Sequence, residues 1–183
     1  MIDSLYEPFK HWSKEGTIWL YSDPHFNDPE VSKYNRISDE EQLVRINAKV
    51  GRKDTFILLG DVGDIEWMKK VRGKKILIMG NHDKGASLYT SIFDEIYEGP
   101  LFISSKILLS HEPIEGLDWC MNIHGHVHVK VANDKNHFNV CSNNIDYTPI
   151  NFNQWMKQGY LSHISGIHRP TIDRATKRKK NRK

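Results

Sequence analysis

Residues 55–61 read Thr55-Phe56-Ile57-Leu58-Leu59-Gly60-Asp61, four consecutive apolar side chains running into a glycine and a carboxylate. A short run of this kind, rich in Ile and Leu and without polar alternation, predicts a strand buried on both faces, with the aspartate on the loop at its end. The same pattern stands on either side. Upstream, residues 17–21 lead into Ser22-Asp23-Pro24-His25, and downstream residues 75–79 lead into Gly80-Asn81-His82-Asp83. Three buried strands that each deliver polar side chains to the following loop predict an α/β layered fold, whose ligands gather at the carboxyl ends of the strands.

The segments between these strands carry helix signals. Ser38 with Glu41 three residues later forms a capping box, Leu43, Ile46 and Val50 give an apolar stripe, and Gly51 closes it. Asp64 is placed to cap a second helix over 65–72, with Ile65, Met68 and Val71 on one face and Gly73 as the stop. After Gly99-Pro100 the pattern changes. Apolar runs at 101–103, 107–109, 121–123 and 137–140, the first two joined by a tight Ser104-Ser105 turn, follow with no long helix between them, which predicts an antiparallel or mixed sheet. A short helix over 152–158 is expected behind Asn151, ending at Gly159.

The chain of 183 residues has room for one core, and neither an internal repeat nor a linker divides it, so residues 1–168 are expected to form a single domain. A hydrophobic fraction of 38% and a mean hydropathy of -0.59 suit a water-exposed globule, and no apolar run approaches the ~20 residues of a bilayer span. Residues 1–14 lack the basic start and apolar stretch of a signal peptide, and Cys120 and Cys141 form no C-x-x-C pair; the expected compartment is cytoplasmic, with both thiols reduced and half-buried. The net charge of +3 conceals an asymmetry. Residues 169–183 hold eight Lys and Arg and one acidic residue, Asp173, leaving 18 basic against 22 acidic residues in the remainder. This reads as a basic, mobile tail on a mildly acidic body.

Two adjacent divalent ions need a carboxylate between them, imidazoles and an amide around them, and an open position for substrate. The chain offers Asp23, His25, Asp61, Asn81, His111 in Ser110-His111-Glu112-Pro113, and His126 and His128 in Gly125-His126-Val127-His128. This set is too rich in imidazole for a pure Mg²⁺ site and lacks the thiolates of structural zinc, so transition metals fit, manganese first, with iron, zinc or nickel as alternatives. His111 alone would read as a loop histidine; its place in the series makes it a ligand candidate. His126 and His128 alternate along a strand-like run and would face one side. His124 shares that face but is read as a residue that supports the ligands or packs behind them, and the five tryptophans as core and edge packing.

The series D-x-H, G-D-x-x-D, G-N-H-D, H and G-H-x-H resembles the calcineurin-like metallophosphoesterase family over residues 17–150. The resemblance implies a two-sheet α/β sandwich with flanking helices, in which Asp23, His25 and His128 hold one ion, Asn81, His111 and His126 the other, and Asp61 bridges them. It implies hydrolysis of a phosphoester by a hydroxide held between the metals, with His82 as the catalytic histidine acting on the leaving oxygen. Asp64 stands where protein phosphatases of the family place the carboxylate that orients this histidine; its other reading is a helix cap. Asp83 is open between support of the ligands and a loop turn.

Two departures bear on substrate. Protein Ser/Thr phosphatases follow the second aspartate with Arg-Gly where this chain has Ile65-Glu66, and Lys84 stands where many relatives carry Arg. Without guanidinium groups a monoester dianion loses bidentate clamping, which favours a small phosphodiester, a cyclic nucleotide among them, over a phosphomonoester. Residues 138–141 and 147–150 resemble the closing segment of small stand-alone bacterial and phage members. The alternatives are a nuclease of the same fold, with the basic tail drawing in nucleic acid, and a scaffold that has lost catalysis, which the full set of ligand types disfavours.

Overall fold

Strand β1 (Ile18–Tyr21) pairs in parallel with β2 (Thr55–Leu58), Ile18 opposite Thr55 and Tyr21 opposite Leu58, and β2 pairs in parallel with β3 (Lys74–Ile78). These are the three runs read from the sequence, each within one residue of its expected limits. The computed structural model describes residues 2–31, 35–128 and 134–166; the basic segment 169–183 lies outside them. A fourth parallel strand, β4 (Glu95–Tyr97), flanks β3.

The second sheet is mixed. β5 (Leu101–Ser104) runs antiparallel to β6 (Ile107–Leu109), and β7 (Met121–His124) and β8 (His137–Asn139) continue in parallel, giving the order β5-β6-β7-β8. The hairpin turn falls at Ser105-Lys106, one residue beyond its expected position. A last short strand, β9 (Ile150–Asn151), returns antiparallel to β1 and completes the first sheet as β4-β3-β2-β1-β9.

Period-two alternation along the first sheet builds two cores. Ile18, Leu20, Ile57, Leu59, Ile76 and Ile78 face the second sheet and meet Ile103, Ile107, Leu109, Met121, Ile123 and Val140. Tyr21, Phe56, Leu58 and Leu77 face the other way, onto the helical layer. Burial on both faces is why these strands read as continuous apolar runs, each such side chain contributing roughly 1.5–3 kcal/mol of transfer free energy.

Helix α1 (Asp39–Lys49) starts where Ser38 accepts the Glu41 N–H at 3.2 Å and seats Ile46, with Val50 just beyond its end, in the second core. Helix α2 (Ile65–Met68) is shorter than expected because of a contact from helix α1. Asn47 donates its amide to the Lys70 carbonyl and accepts the Arg72 N–H, taking that N–H out of helical bonding and leading the chain into β3. Helix α3 (Phe152–Trp155) is capped by Asn151 as read, and turns carry the chain on to Gly159. The N-terminal 3-10 helix Glu7–Ser13, which buries Phe9 and Trp12 at the edge of the inter-sheet core, gave no sequence signal. Among the described residues no helix is long and apolar enough to cross a membrane.

Candidate metal centre

The carboxyl ends of β1, β2 and β3 in one sheet and of β6 and β7 in the other open onto the same edge of the sandwich. Hydrogen bonds hold the loops there in register: across the sheets His126 donates its backbone N–H to Asp23 Oδ2 at 2.8 Å and the His111 ring donates from Nδ1 to the Leu59 carbonyl at 2.8 Å, and within the second sheet Gly125 donates to the His111 carbonyl at 2.9 Å. The approach is close enough to require glycine. A Cβ on Gly125 would lie 2.3 Å from Asp23 Oδ2, and one on Gly80 would lie 2.3 Å from Asp61 Oδ1. Backbone strain is concentrated at the same place: Asp23, His25, Asp61 and His126 all adopt left-handed conformations, with φ between 44° and 65°.

This arrangement brings together all seven side chains singled out as ligand candidates. Asp23 Oδ1 lies 3.9 Å from His25 Nε2 and 3.5 Å from His128 Nε2. Asn81 Oδ1 lies 2.8 Å from His111 Nε2 and 3.1 Å from His126 Nδ1, and those two ring nitrogens are 3.2 Å apart. Asp61 stands between the two groups: its Oδ2 is 3.4 Å from His25 Nε2 and 3.3 Å from His111 Nε2. Strand β7 ends at His124, so the route by which His126 and His128 converge is the left-handed turn at His126 and not strand alternation. His124 is buried away from the group, bonded to the Gly125 carbonyl and packed against His137.

The electrostatics are those of a cation site. Burial alone would raise the Asp61 carboxyl, but the His111 and His25 imidazoles beside it and the His82 N–H outweigh it and hold Asp61 well below the usual carboxylate range. Burial opposes a charge on His111, yet the Asp61 carboxylate and the charge of Asp23 lift its pKa to about 9, and His25 is raised by the same carboxylates. Asp23 Oδ1 and His25 Nε2 are buried and have no hydrogen-bond partner. Two orphaned buried polar atoms beside a second carboxylate would cost several kcal/mol unless a cation completed them. The donors therefore fit divalent metal, and among the described residues three overlapping groups could hold an ion: Asp23, His25 and Asp61; Asp61, His111 and His126; and Asp23, His128 and Cys141.

The supports behind these side chains were mostly invisible in the sequence. Asp28 bonds His25 Nδ1 at 3.1 Å and Asn143 bonds His128 Nδ1 at 2.9 Å, each fixing which nitrogen faces the centre. Asp83, read as open between support and turn, gathers the N–H groups of Asp61, Val62 and Gly80 at 2.8–3.0 Å, with the Tyr89 hydroxyl at 3.3 Å. Both cysteines are free and fully buried, not half-buried, and Cys141 Sγ sits 3.5 Å from His128 Nδ1, a thiol next to the ligands that its spacing gave no reason to single out. His82 is exposed at the rim, its backbone N–H bonded to Asp61 Oδ1 at 2.9 Å and its ring edge-on to His25 at 5.3 Å. Asp64 lines the same cavity as His82, but its carboxylate accepts the Glu66 N–H, as a helix cap, and the Asn27 amide.

A family model described as calcineurin-like phosphoesterase matches residues 16–177. The chain belongs to that family. It is a hydrolase of phosphoesters, in a family that uses divalent metal ions, and its two mixed sheets with flanking helices are the fold of the family. Among solved structures, the protein of unknown function AQ665 from Aquifex aeolicus matches with a TM-score of 0.65 at 27% identity, over 77% of this chain and 98% of that one. The nuclease MPE of Pseudomonas putida matches with a TM-score of 0.45 at 24% identity over 61% of each chain. The phosphoesterase Yfce from E. coli gives 0.37 at 16% identity, over 68% of this chain and 78% of that one. No curated protein matches the chain.

Proposed function

We propose that this calcineurin-like phosphoesterase hydrolyses a small phosphodiester at a dinuclear centre, with Asp23, His25 and His128 around one ion, Asn81, His111 and His126 around the other, and Asp61 shared. The observation that carries this reading is the position of Asp61, whose Oδ2 faces a histidine of each group at nearly equal distance. Manganese is the first candidate for the resident metal, with iron, zinc and nickel as alternatives. When bound, divalent ions supply Lewis acidity at phosphorus and bring the pKa of water from about 15.7 toward ~7.

The chain's own groups do the rest. Water gives up one proton to solvent and adds to phosphorus, the bond to the leaving oxygen breaks, and the protonated His82 ring gives that oxygen a proton from the rim of the centre and regains one from solvent. The tie from the His82 N–H to Asp61 fixes its backbone to the same residue that the two ligand groups share. Asp64 lines the cavity beside His82, but one of its carboxylate oxygens accepts the Glu66 N–H as a cap and the other the Asn27 amide, which supports the cap reading over a positioning one. No arginine follows Asp64 or Asp83, and exposed Lys84 offers a single point charge, which supports a diester monoanion over a monoester dianion.

The test is hydrolysis of bis-p-nitrophenyl phosphate against p-nitrophenyl phosphate by chelated protein with Mn²⁺, Zn²⁺, Ni²⁺ or Mg²⁺ restored. Diester turnover that requires a transition metal and His82 is the expected result. Preference for the monoester, or turnover with Mg²⁺ alone, would overturn the diester and metal assignments respectively. The eight basic residues of 169–183 favour a second reading, a nuclease, whose activity on nucleic acid would fall on deletion of those residues and with rising salt while small-diester turnover held.

A further inference from the structure

Two cavities flank the ligand cluster, and their chemistry differs. One, of about 440 Å³, opens over His82 and is lined by Ile65, Leu88 and Tyr89 together with Asp64 and Lys84. The other, of about 330 Å³, lies beyond Asn81 and His111 and is walled by Glu98, Glu112 and Ile114. Both are within or close to the range that accepts small organic groups. The first contains an apolar side chain with nothing to cover it: Leu88 is 52% exposed, on a 3-10 turn that follows the Gly80-Asn81-His82-Asp83 loop directly. Behind it the wall is aromatic. Phe26 stacks on Trp67 with ring centres 5.7 Å apart, and Tyr89 meets Phe93 edge-on.

We infer that the His82-side cavity is the leaving-group subsite and takes an arm carrying an aromatic ring. This inference rests on the reading of His82 as the group that protonates the leaving oxygen. If His82 serves that oxygen, the arm attached to it must extend past His82, and the space past His82 is this cavity. An aromatic arm there would cover Leu88 and Ile65 with flat apolar surface and leave its edge to Asp64 and Lys84. An arm without apolar surface would leave Leu88 exposed, and an anionic one would also meet the carboxylates of Asp28 and Asp64. The acidic second cavity, with Glu98 and Glu112, would repel a second phosphate and is left to the arm that stays on phosphorus.

Binding to the metal-loaded protein tests this without turnover. Phenylphosphonate and methylphosphonate share the headgroup and differ only in the arm, and calorimetry is expected to show the phenyl compound binding about tenfold or more tighter. Leu88→Ser and Leu88→Asn, which remove the apolar surface without adding charge beside the anionic headgroup, should both reduce the difference. Ile114→Asp, in the second cavity, should leave the difference intact. Equal binding of the two phosphonates, or loss of the difference in Ile114→Asp and not in the Leu88 variants, would overturn the assignment. A phenyl preference that depends on Leu88 in a protein hydrolysing neither nitrophenyl ester would remove the functional reading and keep the subsite. Turnover without that preference would do the reverse.

Discussion

Asp83 accepts the backbone N–H of Asp61 at 3.0 Å, and with the same carboxylate oxygen that of Gly80 at 2.8 Å, so one buried side chain ties the loop after β2 to the loop after β3. Its other oxygen takes the Val62 N–H at 2.9 Å. Burial raises the carboxyl of Asp83, partly offset by these donors, and the loops it joins carry the shared aspartate and the Asn81 amide. Asp83→Ala leaves three N–H groups without their acceptor, a cost of about 1–3 kcal/mol for each one that water does not reach. The expected outcome is a metal affinity at least about tenfold weaker in a titration of chelated protein, with Asp83→Asn intermediate. Unchanged metal affinity in Asp83→Ala would reduce Asp83 to a turn residue.

His82 and Asp61 are joined by a backbone hydrogen bond but should fail in different ways. His82→Ala is expected to lower kcat on the diester by roughly 10²- to 10⁴-fold while both metals stay bound, because its ring is exposed and only its N–H, which alanine keeps, supports Asp61. Asp61→Asn removes the carboxylate that both histidine groups face and should release metal as well. Metal analysis beside the kinetics separates the two, and equal metal loss in both variants would contradict the roles assigned here.

How much of this was legible in the sequence differs by length scale. The three parallel strands and their ligand loops were readable because burial on both faces leaves a run such as Ile57-Leu58-Leu59 with no polar interruption. The helix at Asp39–Lys49 was readable because its cap is local. Strand β4 was not, since three half-buried residues at a sheet edge carry no period. Nor could the supports be read: Asn143 reaches His128 across 15 positions and Asp83 reaches Asp61 across 22, contacts set by how the strands assemble and not by neighbours in the chain. The left-handed turn at His126 likewise follows from the approach of Gly125 to Asp23.

Gly125 is the position where that approach leaves no room. An alanine methyl there would fall 1.9 Å from Ser22 Oγ and 2.3 Å from Asp23 Oδ2, while Ser22 Oγ donates to the Leu59 carbonyl and cannot retreat without losing a buried bond. Overpacking of this kind costs about 1–3 kcal/mol, and here the displaced group is a ligand candidate. Gly125→Ala is expected to lower stability by that order in urea unfolding and to lose metal from the Asp23 group. Wild-type stability and metal content together would show that the loop can move apart, contrary to the contacts described.

Far from the centre, Glu95 on β4 joins the edge of the first sheet to the N-terminal 3-10 helix. Its carboxylate accepts from His11 at 2.6 Å, Lys74 at 2.5 Å, Trp12 at 2.9 Å and Tyr97 at 2.9 Å. Burial favours the neutral acid, but the four donors outweigh it and bring the pKa from 4.5 down to about 2. A carboxyl depressed on folding stabilises the native state above its unfolded pKa, and that contribution is lost as pH falls from about 4.5 through about 2. Discounted for solvent screening, it is on the order of 2 kcal/mol at neutral pH. Urea unfolding of chelated wild type and Glu95→Gln at pH 7 and pH 3 reads it directly, chelation keeping metal loss out of the comparison. The gap between the two proteins should narrow at the lower pH, because at pH 3 the unfolded chain takes up a proton at Glu95 that the native carboxylate, with its pKa of about 2, does not. A gap of the same size at both values would mean that Glu95 acts through packing and neutral hydrogen bonds alone.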